Sequence, residues 1–364
     1  MHLHPKAAAW LAAICLTTSA PNAWALLFDL TDLGDLGGSS HVPFGTHATG
    51  INDNGDVVGY SYTGSAIHAF QWNQSSGMRD LGTLSGSGWS LPYDINNAGQ
   101  AVGFSSSTNG ERAFVWNAAN GMQDLGTLGG TFSHAYDINS TGQIVGRSET
   151  ADGGDHAVLW DGQGGMRDLG AFPDASASAL GINDAGLVVG FSGDAGFIWS
   201  DADGLQDLGS LGAGRTYATD INNQGQVVGR SADNLFLWTQ EDGMRSIGAL
   251  TGNVGSADAI NELGQVVGTD GDLSAFLWTE EDGLQYLDQM INQSENWVIK
   301  FAKDINNVGQ IAAVAIDTAG RERAVLLTPI AEASEPAAWS LLALASLVLA
   351  WRRRQQAVTA GHDK

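Results

Sequence analysis

The sequence predicts an all-β fold, a seven-bladed β-propeller of four-stranded blades closed by its N-terminal strand. Three observations predict it. One phrase recurs seven times, each recurrence carries four short strand patterns, and the strand missing from the last unit stands ahead of the first. A repeat of about 40–45 residues is the size of one four-stranded blade.

The phrase is Ile51-Asn52-Asp53-Asn54-Gly55-Asp56-Val57-Val58-Gly59, and it returns at Ile95, Ile138, Ile182, Ile221, Ile260 and Ile305. In each unit the first strand ends at Asp-Ile-Asn and the second is the Val-Val-Gly run. The third is the pattern of Phe70-Gln71-Trp72, repeated up to Phe276-Leu277-Trp278, with Val325-Leu326-Leu327 a seventh copy lacking the tryptophan. The fourth is the Met-Arg-Asp-Leu-Gly-Thr-Leu type beginning at Met78. All are short, rich in β-branched or aromatic residues, and bounded by Gly, Asn or Asp. Amphipathic helix spacing is absent from the body. Six fourth strands follow a third strand, and the seventh is Leu27-Phe28-Asp29-Leu30-Thr31-Asp32-Leu33-Gly34. Pairing the segment around Phe28 with that around Val325 uses every strand once and leaves only short protected edges.

Connection lengths divide the two faces. The first-to-second turn is always Asn-x-x-Gly, and a glycine stands five residues after each tryptophan of the third strand. The other two connections vary: Gly146 to Trp160 spans 14 residues against 9 from Gly190 to Trp199, and Leu287 to Ile305 spans 18 against 13 from Leu208 to Ile221. In a propeller the variable connections share one face, and recognition concentrates on variable loops held by a rigid frame.

The ends predict export. Residues 1–25 form a signal peptide: Lys6, an apolar run from Ala7 to Ala20, and small residues Ala23 and Ala25 ahead of cleavage before Leu26. The one cysteine, Cys15, leaves with it, so the mature chain carries no disulfide or cysteine metal site. The propeller occupies 26–331. Acidic residues outnumber basic ones 40 to 16, for a net charge of −24, which excludes the basic footprint of a nucleic-acid binder.

The residues resemble a known class. His68-Ala69-Phe70 before Trp72, with the Asn-x-x-Gly-x-Val-Val-Gly turn upstream, is similar to the extracellular HAF repeat family, and the likeness spans nearly the whole mature body. It implies a secreted bacterial repeat protein without an assigned activity. Arg112-Ala113-Phe114 and His156-Ala157-Val158 depart from the triplet. Residues 332–364 resemble a PEP-CTERM sorting tail: Glu335-Pro336, an apolar run over 337–351, then Arg352, Arg353 and Arg354. The resemblance implies a Gram-negative bacterium, an exosortase-type sorting enzyme, and a link to exopolysaccharide. Ser334 stands where the motif has its first proline, and ten residues follow the arginines. A permanent membrane anchor is the alternative to a cleaved tail.

The repeated tryptophans share a strand face with the phenylalanines, the register a core between adjacent blades requires. Aromatics that do not repeat are the candidate ligand contacts: Trp89, Tyr93, His134, Tyr217 and Trp297, read as lying on fourth-to-first connections, with ordinary loop packing the alternative. Asp-x-Asn-x-x-Gly echoes a calcium loop, best at Asp53 and Asp56, but acids are missing where further ligands belong, so a tight turn explains it and no metal or cofactor is expected. His41, His47, His68, His134 and His156 lack metal-ligand spacing and are read as exposed loop or strand residues. No nucleophile elbow, zinc helix or phosphate loop occurs. The expectation is therefore a non-enzymatic protein of the cell surface or matrix that binds exopolysaccharide or a surface protein. Alternatives are a passive matrix component and a glycan hydrolase or lyase.

Overall fold

The structure, a computed structural model, describes residues 27–38, 45–162, 164–249, 255–291 and 296–330. The expected signal segment with Ala23 and Ala25, His41, and the sorting tail with Glu335, Pro336 and Arg352 to Arg354 lie outside the described residues. Among the described residues no helix is long and apolar enough to cross a membrane.

Seven four-stranded antiparallel sheets form the blades, six of them with four sequential strands side by side. Blade 1 is representative: His47–Ile51, Val57–Tyr62, Ile67–Asn73 and Gly77–Gly82, running from the central axis outward. Inner strands of consecutive blades touch all the way round, the seventh against the first. Closure follows the expected pairing. Phe28–Asp32 completes the last blade beside Glu322–Pro329, with Phe28 opposite Pro329 and Asp32 opposite Val325.

Apolar residues from neighbouring blades meet in clusters. Val58, Ala69 and Leu81 of blade 1 pack on Ile95, Phe114 and Trp116 of blade 2. The third-strand phenylalanines Phe70, Phe114, Phe197, Phe236 and Phe276 are wholly buried, and five of the six tryptophans are buried with them, Trp238 being half-buried. These rings are core, as their register requires.

The outer strand ends earlier than its seven-residue pattern suggests. At Asp80-Leu81-Gly82 the glycine adopts φ +73°, and Asp80 Oδ1 accepts its N–H at 2.8 Å. Asp124, Asp168 and Asp207 repeat that bond. The chain then crosses to the next blade, where Leu84 N–H donates to Ser105 Oγ at 3.1 Å and Leu128 N–H to Ser148 Oγ at 2.8 Å. Those serines are fully buried, and each strap supplies the N–H that its hydroxyl accepts while the hydroxyl itself donates to a backbone carbonyl.

Candidate functional site

The seven Asn-x-x-Gly turns form a closed ring around the axis on one face. Each asparagine oxygen accepts two N–H groups of its own turn, as Asn139 Oδ1 does from Thr141 and Gln143. Each Nδ2 donates to the carbonyl of the next blade's asparagine: Asn52 to Asn96, Asn96 to Asn139, Asn139 to Asn183, and on to Asn306, which returns to Asn52 at 2.9 Å. Asp53 is held in the same ring, accepting from Asn97 Nδ2 and from the N–H and Nδ2 of Asn307. Among the described residues no group of three or more His, Cys, Asp or Glu is placed to hold a metal.

Above this ring lies a neck of four carboxylates. The residue before each isoleucine is Asp94, Asp137, Asp220 or Asp304 in four blades and Gly50, Gly181 or Ala259 in three. A register shift in every inner strand turns the isoleucine N–H toward the axis. The aspartates satisfy all seven. Asp304 bonds Ile305 and, across the blade boundary, Ile51, both at 2.7 Å. Asp220 bonds Ile221 and Ile260 at 2.7 and 2.8 Å, and Asp137 bonds Ile138 and Ile182 at 2.6 Å each. Asp94 bonds Ile95 and shares a hydrogen bond with Asp137. Wherever a blade lacks the acid, the blade before it reaches over. Burial pushes all four carboxyls up, Asp220 to about 6, and the backbone N–H bonds only partly offset it. Each of the four is half-exposed by surface area and faces the open space along the axis.

On the variable-loop side the neck opens into a cavity of about 510 Å³. Each blade contributes the residue immediately before the neck position: Thr49, Tyr93, Tyr136, Leu180, Thr219, Asp258 and Lys303. The lining is lopsided. Blades 1 to 3 supply Tyr60, Leu91, Pro92, Tyr93 and Tyr136, whereas blades 6 and 7 supply Asp258 and Lys303, paired at 3.1 Å. Rings continue the apolar wall outward. Tyr93 stands edge-on to Tyr136 at 4.9 Å and stacks on Phe104, which stacks on His134 at 3.9 Å and meets Trp89 edge-on. His134 Nε2–H donates to Glu111 at 2.7 Å, leaving Nδ1 to accept from Arg147 Nη2 at 3.3 Å. Burial pushes the imidazole pKa down, against the pull of Glu111.

The structure corrects the placement of the expected ligand contacts. Tyr93, His134 and Tyr217 belong to inner strands, Ser90–Ile95, Gly129–Ile138 and Thr216–Ile221, and not to connections. The inner strands begin well before Asp-Ile-Asn, so residues read as loop pair with the second strand. Trp89 and Trp297 do precede inner strands. Trp89, Tyr93 and His134 come together in one wall; Tyr217 meets Phe191 edge-on two blades on, and Trp297 packs on the core of the last two blades. His134 is 6% exposed, against the expectation of an exposed histidine. Among the lining residues only Tyr93 was anticipated. A signal existed: one repeat column holds Thr, Tyr, Tyr, Leu, Thr, Asp and Lys directly after a column that is alanine in six of the seven blades.

No family model matches this chain, and no curated protein does. Solved structures share the fold. An oligogalacturonate lyase in complex with manganese is 11% identical, with a TM-score of 0.55 over 84% of this chain and 96% of that one. The oligogalacturonate lyase of Vibrio parahaemolyticus is 10% identical, with 0.50 over 85% and 99%. A gluconolactonase of Xanthomonas campestris is 9% identical, with 0.44 over 84% and 92%. At such identity the likeness carries the fold alone. The two lyases nonetheless overturn the expectation of a non-enzyme, because they are enzymes built on this architecture. Missing contiguous motifs were no ground for exclusion in a fold whose channel takes single residues from separate blades.

Proposed function

We propose that the cavity on the variable-loop face is a saccharide-binding site of an exported protein held at the cell surface or in the extracellular matrix. The observation that carries this is the lining: one side chain per blade, drawn from the column in which the repeats differ. A tyrosine wall facing a charged pair suits a sugar, whose ring has apolar C–H faces and a hydroxyl rim. The volume falls in the range of about 300–1,000 Å³ common to small-ligand sites.

The direction of the chain supports tethering. Leu27 and Ile330 are hydrogen-bonded to each other at 2.8 Å and leave the propeller on the Asn-x-x-Gly face. A C-terminal segment of PEP-CTERM type would therefore hold that face toward the envelope and turn the cavity outward. Retention of the tail or its removal near Glu335 is read from the intact mass of the protein purified from its host.

Calorimetry of the protein with fragments of the host's exopolysaccharide tests the site. Saturable binding weakened about tenfold or more by Tyr93→Ala or Tyr136→Ala supports it. Binding indifferent to both substitutions, or no binding across the fragment set, removes it. New reducing ends or unsaturated sugars among the fragments would make the same cavity an active site.

A further inference from the structure

We infer that the ligand of this cavity is an acidic saccharide, whose anionic group is held on the blade 3 side by Arg147. The inference rests on the cavity being the saccharide site proposed above.

Arg147 follows the glycine of the second strand, in the column that holds Tyr60 in blade 1 and Phe104 in blade 2. Tyr60 lines the cavity, as does Tyr136, whose hydroxyl lies 3.4 Å from His134 Nδ1, the atom that accepts from Arg147. The guanidinium thus sits at the end of the aromatic wall, 5.3 Å over the Phe132 ring.

Its pairing is unusual for this chain. With acids in large excess, Arg112, Arg167, Arg215, Arg245, Arg321 and Arg323 each reach a carboxylate. Arg147 reaches none among the described residues. Its polar partner is the His134 imidazole, whose Nδ1 must be unprotonated, and the ring therefore neutral, to accept from Arg147 Nη2. Its Nε is shielded from solvent without a partner. A half-buried guanidinium with no counter-ion attracts an anion, and its planar fork matches a carboxylate.

The rest of the channel orients such a ligand. Once ionised, the neck carboxylates repel an anion from the floor, and Asp258 lies with Lys303 on blades 6 and 7. The acid group is left the blade 3 rim, with the sugar ring against Tyr93 and Tyr136. Repulsion selects the pose as much as attraction does.

The test compares a glucuronate-containing oligosaccharide with the same oligosaccharide after carboxyl reduction, titrated into the full-length protein and into Arg147→Met and Arg147→Lys. The expected result is binding of the acid form about tenfold or more tighter than the reduced form, the charge-assisted bond being the difference. Arg147→Met abolishes that preference without weakening the reduced form, and Arg147→Lys keeps part of it, which also excludes a folding defect as the cause. Equal binding of both forms to the unchanged protein overturns the inference and leaves the site standing. So does a preference that survives in Arg147→Met. Failure of both forms to bind overturns the inference together with the site.

Discussion

At the scale of single residues, two repeat positions carry most of the geometry. The glycine of Val-Val-Gly faces the carbonyl of the bulged inner strand: a methyl on Gly146 would overlap the His134 carbonyl oxygen, and one on Gly59 that of His47. Blade 7 has Ala313 in this column, and its inner strand carries a second register shift between Ile299 and Phe301. Gly146→Ala is therefore expected to destabilise by about 1–3 kcal/mol, read from denaturant unfolding, since backbone cannot yield as a side chain can. The turn asparagine is the other position. Asn139→Asp removes the donor to the Asn183 carbonyl and sets a carboxylate against that carbonyl and Gln143 Oε1. The expected loss is about 2 kcal/mol or more. An unchanged midpoint would show that the asparagine ring does not hold the inner strands together.

At the scale of the element, each blade is incomplete without its neighbour. Its inner apolar face is covered by the preceding blade, and in blades 1 to 5 a buried serine is met by the preceding strap. The N-terminal strand is the extreme case, because it joins a blade from the opposite end of the sequence. Phe28 is fully buried, and its N–H donates to the Met290 carbonyl at 2.8 Å. Phe28→Ala is expected to cost about 3–5 kcal/mol, as for a large aromatic removed from a core. If it costs no more than a surface substitution, the ring is not closed by this strand in solution. Closure was legible in the sequence by counting strands. The straps were not, because a serine and a leucine some twenty residues apart announce no pairing until adjacent blades are set side by side.

At the scale of the whole molecule, the neck ties stability to pH. The folded chain holds the protons of Asp94, Asp137, Asp220 and Asp304 more tightly than the unfolded chain does, because their pKa values are raised in the fold. The stabilisation they give by binding protons is full below the ordinary carboxylate pKa and is lost as pH rises through the raised values, Asp220 passing through its own near 6. The melting temperature is expected to fall between pH 5 and 8, measured by calorimetry at constant ionic strength. Asp94→Asn should flatten the slope, since an amide N–H replaces the proton shared with Asp137. A slope unchanged by that substitution would mean that the two carboxyls do not share a proton.

The sequence by itself determined the class, the number of blades, the closing strand and the burial of the tryptophans. Strand periodicity and turn chemistry are local, and seven registered copies make them unambiguous. Only the tertiary structure decided the site. Its residues stand 39 to 45 positions apart in the chain, as Thr219 and Asp258 or Asp258 and Lys303 do, and only ring closure aims them at one axis. The placement of Tyr93, His134 and Tyr217 in strands was decided there too, because a strand's start depends on the partner it pairs with. So were the neck and the unmatched charge of Arg147. A raised carboxyl pKa or a missing counter-ion is a property of surroundings, and the surroundings here come from different blades.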